Sequence, residues 1–205
     1  MLNYGRFLIG LIVLSLSGSG CFFVSSFQSP EVLPKNQVSL QLGLSGFAAE
    51  GGASLPLIPD VAVRYGIGNR MDIGGRLGVG IIGGDIKWQL LPGPLLVSLD
   101  LGASVFGVIT TDESNSAVVG LYPMLLVGTK NIFAGYRHVY FGGEVEGFDG
   151  SSPFSGQFPS FVIGGSLGKQ RVRFLPEVVF MFPQGETFVS YGISIQYRLG
   201  KKNSR

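Results

Sequence analysis

TFVSYGISIQYRL, residues 187–199, decides the fold. Val189, Tyr191, Ile193, Ile195, Tyr197 and Leu199 are apolar or aromatic, and Ser190, Gly192, Ser194, Gln196 and Arg198 alternate with them. Successive side chains of a strand point to opposite faces, so this period of two predicts a strand with one apolar and one polar face. The same alternation runs through QVSLQLGLS (37–45), DVAVRYGIG (60–68), MDIGGRLGVGI (71–81), DIKWQL (85–90) and LLVSLDLGASV (95–105). It is less clean in 117–129, which is apolar on both faces and holds Pro123, in 131–141, and in the hairpin 159–167/171–182. About ten strands are expected, with eight to twelve compatible with the pattern.

Composition narrows the class. Charged residues make up only 14% of the 205 residues, Gly accounts for 33, and 45% are hydrophobic. Ordinary soluble domains carry about 25% charge and about 7% Gly. Yet no stretch after residue 30 has the ~18 uncharged apolar residues of a membrane helix. An apolar, glycine-rich chain built of alternating strands predicts an all-β, antiparallel, up-and-down transmembrane β-barrel. The net charge of +2 gives no footprint for nucleic acid. The lone Cys21 excludes an intrachain disulfide, and the lone His138 excludes a multi-histidine metal site. GVGIIG (78–83) fits G-x-G-x-x-G, but no helix follows to cradle a phosphate, so no cofactor is expected.

Alternation alone does not say which face meets water. The polar faces are rich in Gly and Ser, carry mixed charges and run uncharged over 37–45 and 187–197. Small residues suit the crowded interior of a narrow barrel. Tight connections at 68–70, 92–94, 129–130 and 168–170 alternate with longer ones at 46–57, 110–116 and 142–158. All this places the polar faces inside. The expected lumen charges are Asp60, Arg64, Asp72, Arg76, Asp85, Lys87, Asp100, Arg137, Arg173, Glu177 and Arg198. They read as ion pairs that plug the barrel, or alternatively as the lining of a narrow channel for small solutes. A soluble, lipid-anchored periplasmic β-barrel is the remaining architecture.

The terminal strand carries a resemblance. Ser190, Gly192, Ile195 and Tyr197 resemble the signal by which outer-membrane proteins are recognised for insertion. With the strand pattern over 37–199, the chain resembles small bacterial outer-membrane β-barrel proteins. That implies location in the bacterial outer membrane, with membrane lipid and the insertion machinery as partners. Met1–Ser26 reads as a signal peptide, with Arg6 before an apolar run from Phe7 to Leu16. Ser17-Gly18-Ser19-Gly20-Cys21 resembles a lipoprotein signal, although Gly18 stands where an aliphatic residue is usual. The resemblance implies lipidation of Cys21. Ordinary cleavage nearby, such as after Ser26, and an uncleaved anchor over 7–24 are the alternatives. Residues 27–36, with Pro30 and Pro34, read as a linker, 37–199 as the barrel and 200–205 as a basic tail.

The chain shows little catalytic machinery. His138 falls on the lipid-facing parity of its strand, among Tyr136, Tyr140 and Phe141. Some lipid-modifying barrels place a histidine so, in His-x-Ser, but here Tyr140 takes the place of the serine. An aromatic girdle at the membrane interface is the simpler reading. EVEGFDGSSPFSGQ (144–157) reads as the longest loop and the place for an external partner. The expected role is structural or surface-interacting, without catalysis.

Overall fold

The structure, a computed structural model, describes residues 26–48, 54–109, 115–147, 150–169, 171–183 and 186–200. Cys21, the rest of the leader and residues 201–205 lie outside them.

Ten strands form the wall: β1 (Val38–Ala48), β2 (Ser54–Gly66), β3 (Met71–Gly78), β4 (Ile81–Leu91), β5 (Leu96–Ile109), β6 (Asn115–Gly128), β7 (Ile132–Gly147), β8 (Gly150–Gly165), β10 (Val172–Met181) and β11 (Phe188–Leu199). A two-residue rung, β9 (Leu167–Gly168), pairs with the start of β10. Every neighbouring pair is antiparallel, and β11 pairs with both β10 and β1, so the sheet closes on itself. The closing ladder runs from Val38↔Leu199 to Ala48↔Val189. Closure removes the open edges that would otherwise template aggregation.

The alternation sorts as expected, with the apolar face outside. Leu42 is 64% exposed and Ile195 54%, whereas Ser39, Ser190, Asp72 and Asp100 are fully buried. Leu, Ile and Val side chains cover the outer wall, and the polar faces look into the lumen. This is the inverse of a soluble barrel, which hides its apolar face, so the soluble alternative is overturned. Tyr65, Trp88 and Tyr197 stand outward near one rim, while Tyr140 and Tyr191 stand outward toward the other. These are the positions of interfacial aromatic belts.

Part of the lumen is apolar. Met124, Leu126, Phe133, Val139, Phe158, Val162, Val179 and Met181 form a buried cluster inside β6, β7, β8 and β10. This explains why 117–129 is apolar on both faces: one face meets lipid and the other packs on this cluster. Pro123 has no N–H to donate, and the β6–β7 ladder skips from Leu121↔Tyr140 to Met124↔Arg137 around it.

Three expectations need correction. Of the stretch 144–157, read as a loop, residues 144–147 and 150–157 are strand: β7 and β8 pair from Ile132↔Gly165 to Gly147↔Gly150. A ladder already in register adds cross-strand bonds residue by residue, and these outweigh the local turn preference of Gly, Ser and Pro. The contrast between short and long connections also fails. The second rim has connections at 49–53, 79–80, 110–114, 148–149 and 182–187, close in length to those of the first. The unevenness lies in the strands, since β7 and β8 have 16 residues each and β3 has 8.

The third correction matters most. Within the stretch 27–36, read as a linker, residues 27–33 run inside the barrel and Pro34, Lys35 and Asn36 are exposed. From Ser26 through Pro30 every residue is buried, as are Val32 and Leu33. The segment enters at the rim where β1 begins and β11 ends, where Asn36 N donates to Gly66 O at 2.9 Å and Gly66 N donates to Gln37 O at 2.9 Å.

Candidate functional site: a lumen filled by the chain's own amino-terminal segment

The charged side of the lumen is occupied by the chain's own segment. Residues 26–34 form neither helix nor strand, so their buried backbone groups must find partners on the wall. Glu177 on β10 accepts from two of these groups, Ser26 N at 2.6 Å and Phe27 N at 2.8 Å, and from the Ser26 hydroxyl at 2.8 Å. Asp72 on β3 accepts from Leu33 N at 2.8 Å. Lys87 on β4 donates to Ser29 O at 3.1 Å, and Gln41 on β1 donates to Phe27 O at 3.1 Å. Arg76 on β3 donates to Ser26 O. The segment's side chains are also engaged. Glu31 pairs with Arg173 and with Arg198, the latter at 2.9 Å, and Gln28 donates to Asp85 at 3.3 Å.

Wall glycines make the room. A Cβ on Gly43 or Gly192 would lie 2.6 or 2.5 Å from the ring of Phe27. One on Gly66 would lie 2.1 Å from the carbonyl oxygen of Pro34. Three of the lumen glycines are therefore the space that the segment occupies.

Beneath the segment lies a charge network. Arg64 bridges Asp72 at 2.5 Å and Asp85 at 2.6 Å, and Lys87 stands 3.8 Å from Asp72. Asp100 faces Lys87 across the β4–β5 ladder and lies within the field of Arg64 and Asp85, yet neither of its oxygens accepts a hydrogen bond. Burying such charges is tolerable only because opposite charges lie close. Arg137 reaches Ser160 Oγ at 3.1 Å. Asp60 is buried beside Gly43. All eleven sequence-predicted lumen charges thus sit on inward positions. Arg64, Asp72, Asp85, Lys87 and Asp100 gather in one network. Arg76 and Glu177 hold the inner end of the segment, and Arg173 and Arg198 hold Glu31. A cavity of about 10 Å³ remains between Ser26, Gln28, Arg76, Asp85, Tyr122, Met124 and Arg137, room for a single water.

Glu31 lies outside every strand. Burial alone would raise its carboxyl, but Arg198 and then Arg173 outweigh burial and hold it below the ordinary glutamate value. Of the insertion-signal residues, Ser190 and Gly192 face inward, and Ile195 and Tyr197 face outward.

His138 faces outward. Its Nδ1 lies 3.0 Å from Tyr136 Oη and its Nε2 lies 3.3 Å from Gln157 Oε1, with Tyr140 stacked obliquely at 4.6 Å. Both ring nitrogens are thus occupied by neutral partners, as suits an interfacial aromatic group. Among the described residues, no three His, Cys, Asp or Glu side chains gather as metal ligands.

The segment's own residues were missed from sequence, but a signal was present. Phe27, Val32 and Leu33 are apolar, and Glu31 is charged, in a stretch read as a linker. Solvated linkers seldom carry so much apolar surface.

A closed ten-stave antiparallel barrel, apolar outside and charged within, is the architecture of small bacterial outer-membrane β-barrels, and this chain is one. No protein-family model matches the sequence, and no curated protein matches it. Solved outer-membrane barrels are similar in wrap only. The amino-terminal β-barrel domain of OprF from Pseudomonas aeruginosa is 7% identical; 82% of this chain covers 100% of it, with a TM-score of 0.40. An outer membrane channel from Pseudomonas putida F1 is 6% identical, with 82% of this chain on 97% of that one and a TM-score of 0.43. The outer membrane protease OmpT from Escherichia coli is 10% identical, with coverage of 85% and 100% and a TM-score of 0.42. Such distances assign no role to this chain, and its class rests on its own two faces.

Proposed function

We propose that this outer-membrane barrel is closed by its own segment 26–36 and serves a structural or surface-interaction role, without conduction or catalysis. One observation carries the reading: the part of the lumen lined by charge, where solutes would pass, is filled by a buried stretch of the same chain. Asp72 and Asp100, in that charged part, are fully buried. The strands that rise furthest, β7 and β8, supply the surface for an external partner. Residues 144–157 remain the proposed contact, now as a paired hairpin rather than a free loop. His138 is assigned to the girdle, because neither of its ring partners is a carboxylate or a nucleophilic serine.

The test is electrical. Purified protein reconstituted in planar bilayers is expected to give no stable conductance steps. Sustained openings from the unmodified protein would overturn the closed-barrel reading and favour the narrow channel.

A further inference from the structure

We infer that the lumen is a binding site for the processed amino terminus of this chain, with Glu177 as the counter-ion of a free α-ammonium at Ser26 or Phe27. The inference deepens the closed-barrel reading and rests on it.

Glu177 is buried deep within the wall, only 3% exposed. Its carboxylate accepts from Ser26 N at 2.6 Å on one oxygen and from Ser26 Oγ and Phe27 N at 2.8 Å on the other, and Arg137 and Arg76 lie within its field. A carboxylate that gathers two successive main-chain N–H groups and a neighbouring hydroxyl has the geometry for recognising an amino terminus. The surroundings fix that end in place. The Phe27 ring fills the space above Gly43 and Gly192, Gln41 holds Phe27 O, and Arg76 holds Ser26 O. Arg137 and Arg76 supply positive charge near this buried carboxylate, and an ammonium 2.6–2.8 Å away adds a directly hydrogen-bonded cation where a neutral amide adds none.

The sequence requires a cut upstream of this point. The apolar run of the leader ends at Leu16. Ten residues, 17 to 26, reach at most about 36 Å when fully extended. A leader held in the export membrane therefore cannot stay joined to a Ser26 seated inside a barrel in another membrane. A start at Ser26 keeps all three contacts to Glu177 and has small Ser25 last and Phe23 third-last in the leader, whereas a start at Phe27 keeps the Phe27 N contact and has Ser26 last and Val24 third-last, as suits a signal peptidase. The step is a hydrolysis. Water adds across the peptide bond, its hydroxyl going to the carbonyl carbon of the leader and its proton to the nitrogen. That amine takes a second proton at neutral pH, and the ammonium docks on Glu177.

Intact-mass and amino-terminal peptide analysis of the detergent-extracted protein test the start directly. A chain beginning at Ser26 or Phe27 is expected. A diacylglycerol-modified Cys21 start, a retained leader or any other start would overturn the inference while leaving the closed-barrel reading to the conductance test. A second readout needs the same protein only. Acylation of the α-amine is expected to be at least about tenfold slower in the folded barrel than after heating, and E177Q should remove that protection while the barrel stays folded. An α-amine equally reactive in the folded and heated states would also overturn it.

Discussion

Gly43 and Gly192 stand on neighbouring strands, and the ring of Phe27 lies over both. A methyl group at Gly43 would collide with that ring at 2.6 Å and with Asp60 at 2.7 Å. Overpacking of this kind costs about 1–3 kcal/mol. Gly43→Ala is therefore expected to lower the temperature at which the barrel's gel band shifts, and adding Phe27→Ala should return most of the loss. A double-mutant cycle reads the coupling, and strict additivity would show that the two do not touch. Glu31 gives a pH dependence of known sign. Its carboxyl is held below the ordinary value by Arg198 and Arg173 against the cost of burial. A depressed pKa means that the folded state gains stability above the unfolded value, about 4.3, and loses it as pH falls through the folded value. Thermal stability of the seated segment should fall on acidification below about pH 4.3, and Glu31→Gln should be weaker at neutral pH and flatter over that window. At this scale the parity of every lumen charge was legible, because a period of two leaves each residue only two faces. The pairing was not. Arg64 meets Asp72 and Asp85 only because β2, β3 and β4 adopt one register, and register depends on the whole sheet.

Among the elements, β7 and β8 depart furthest from their sequence signals. Gly142, Gly143, Gly147, Gly150 and Pro153 mark a turn by local chemistry. The ladder nevertheless pairs Gly142 with Ser155 and Glu146 with Ser151. Tertiary context prevails because the two strands are already held together lower down, from Ile132↔Gly165 to Tyr140↔Gln157. Hydrogen exchange separates hairpin from loop. Amides of 142–146 and 151–156 on the embedded protein are expected to exchange far more slowly than those of a solvated loop. Exchange at loop rates across both stretches would return this region to the loop that its composition suggests. Segment 26–36 is the opposite case, since it was legible as extended but not as enclosed. Pro30 and Pro34 keep it from helix, which is the reason it reads as a linker. Nothing local says that Gly66 on a distant hairpin leaves room for Pro34. That fit exists only once the barrel has closed.

For the whole molecule, the lumen has two halves with different tasks. The wall of β6, β7, β8 and β10 is filled by its own apolar side chains, from Met124 to Met181. The charged side, from β1 to β5 with β10 and β11, is filled by a segment held mainly through polar bonds. The two halves should fail differently. Leu126 is fully buried in the apolar cluster, and Leu126→Ala leaves a cavity enclosed by neighbours that remain in place. It should cost about 2–5 kcal/mol and lower the heat-shift temperature, with the bilayer still silent. Phe27→Ala combined with Glu31→Gln leaves the wall strands untouched but removes the segment's anchoring ring and its ion pairs to Arg173 and Arg198. This variant should keep a closed, heat-shifting barrel and show small, brief openings. The openings should be small because only the charged half is vacated, and brief because Glu177 still holds Ser26 and Phe27 N. Conductance from Leu126→Ala, or silence from the doubly substituted segment, would mean that the segment is not what closes this barrel.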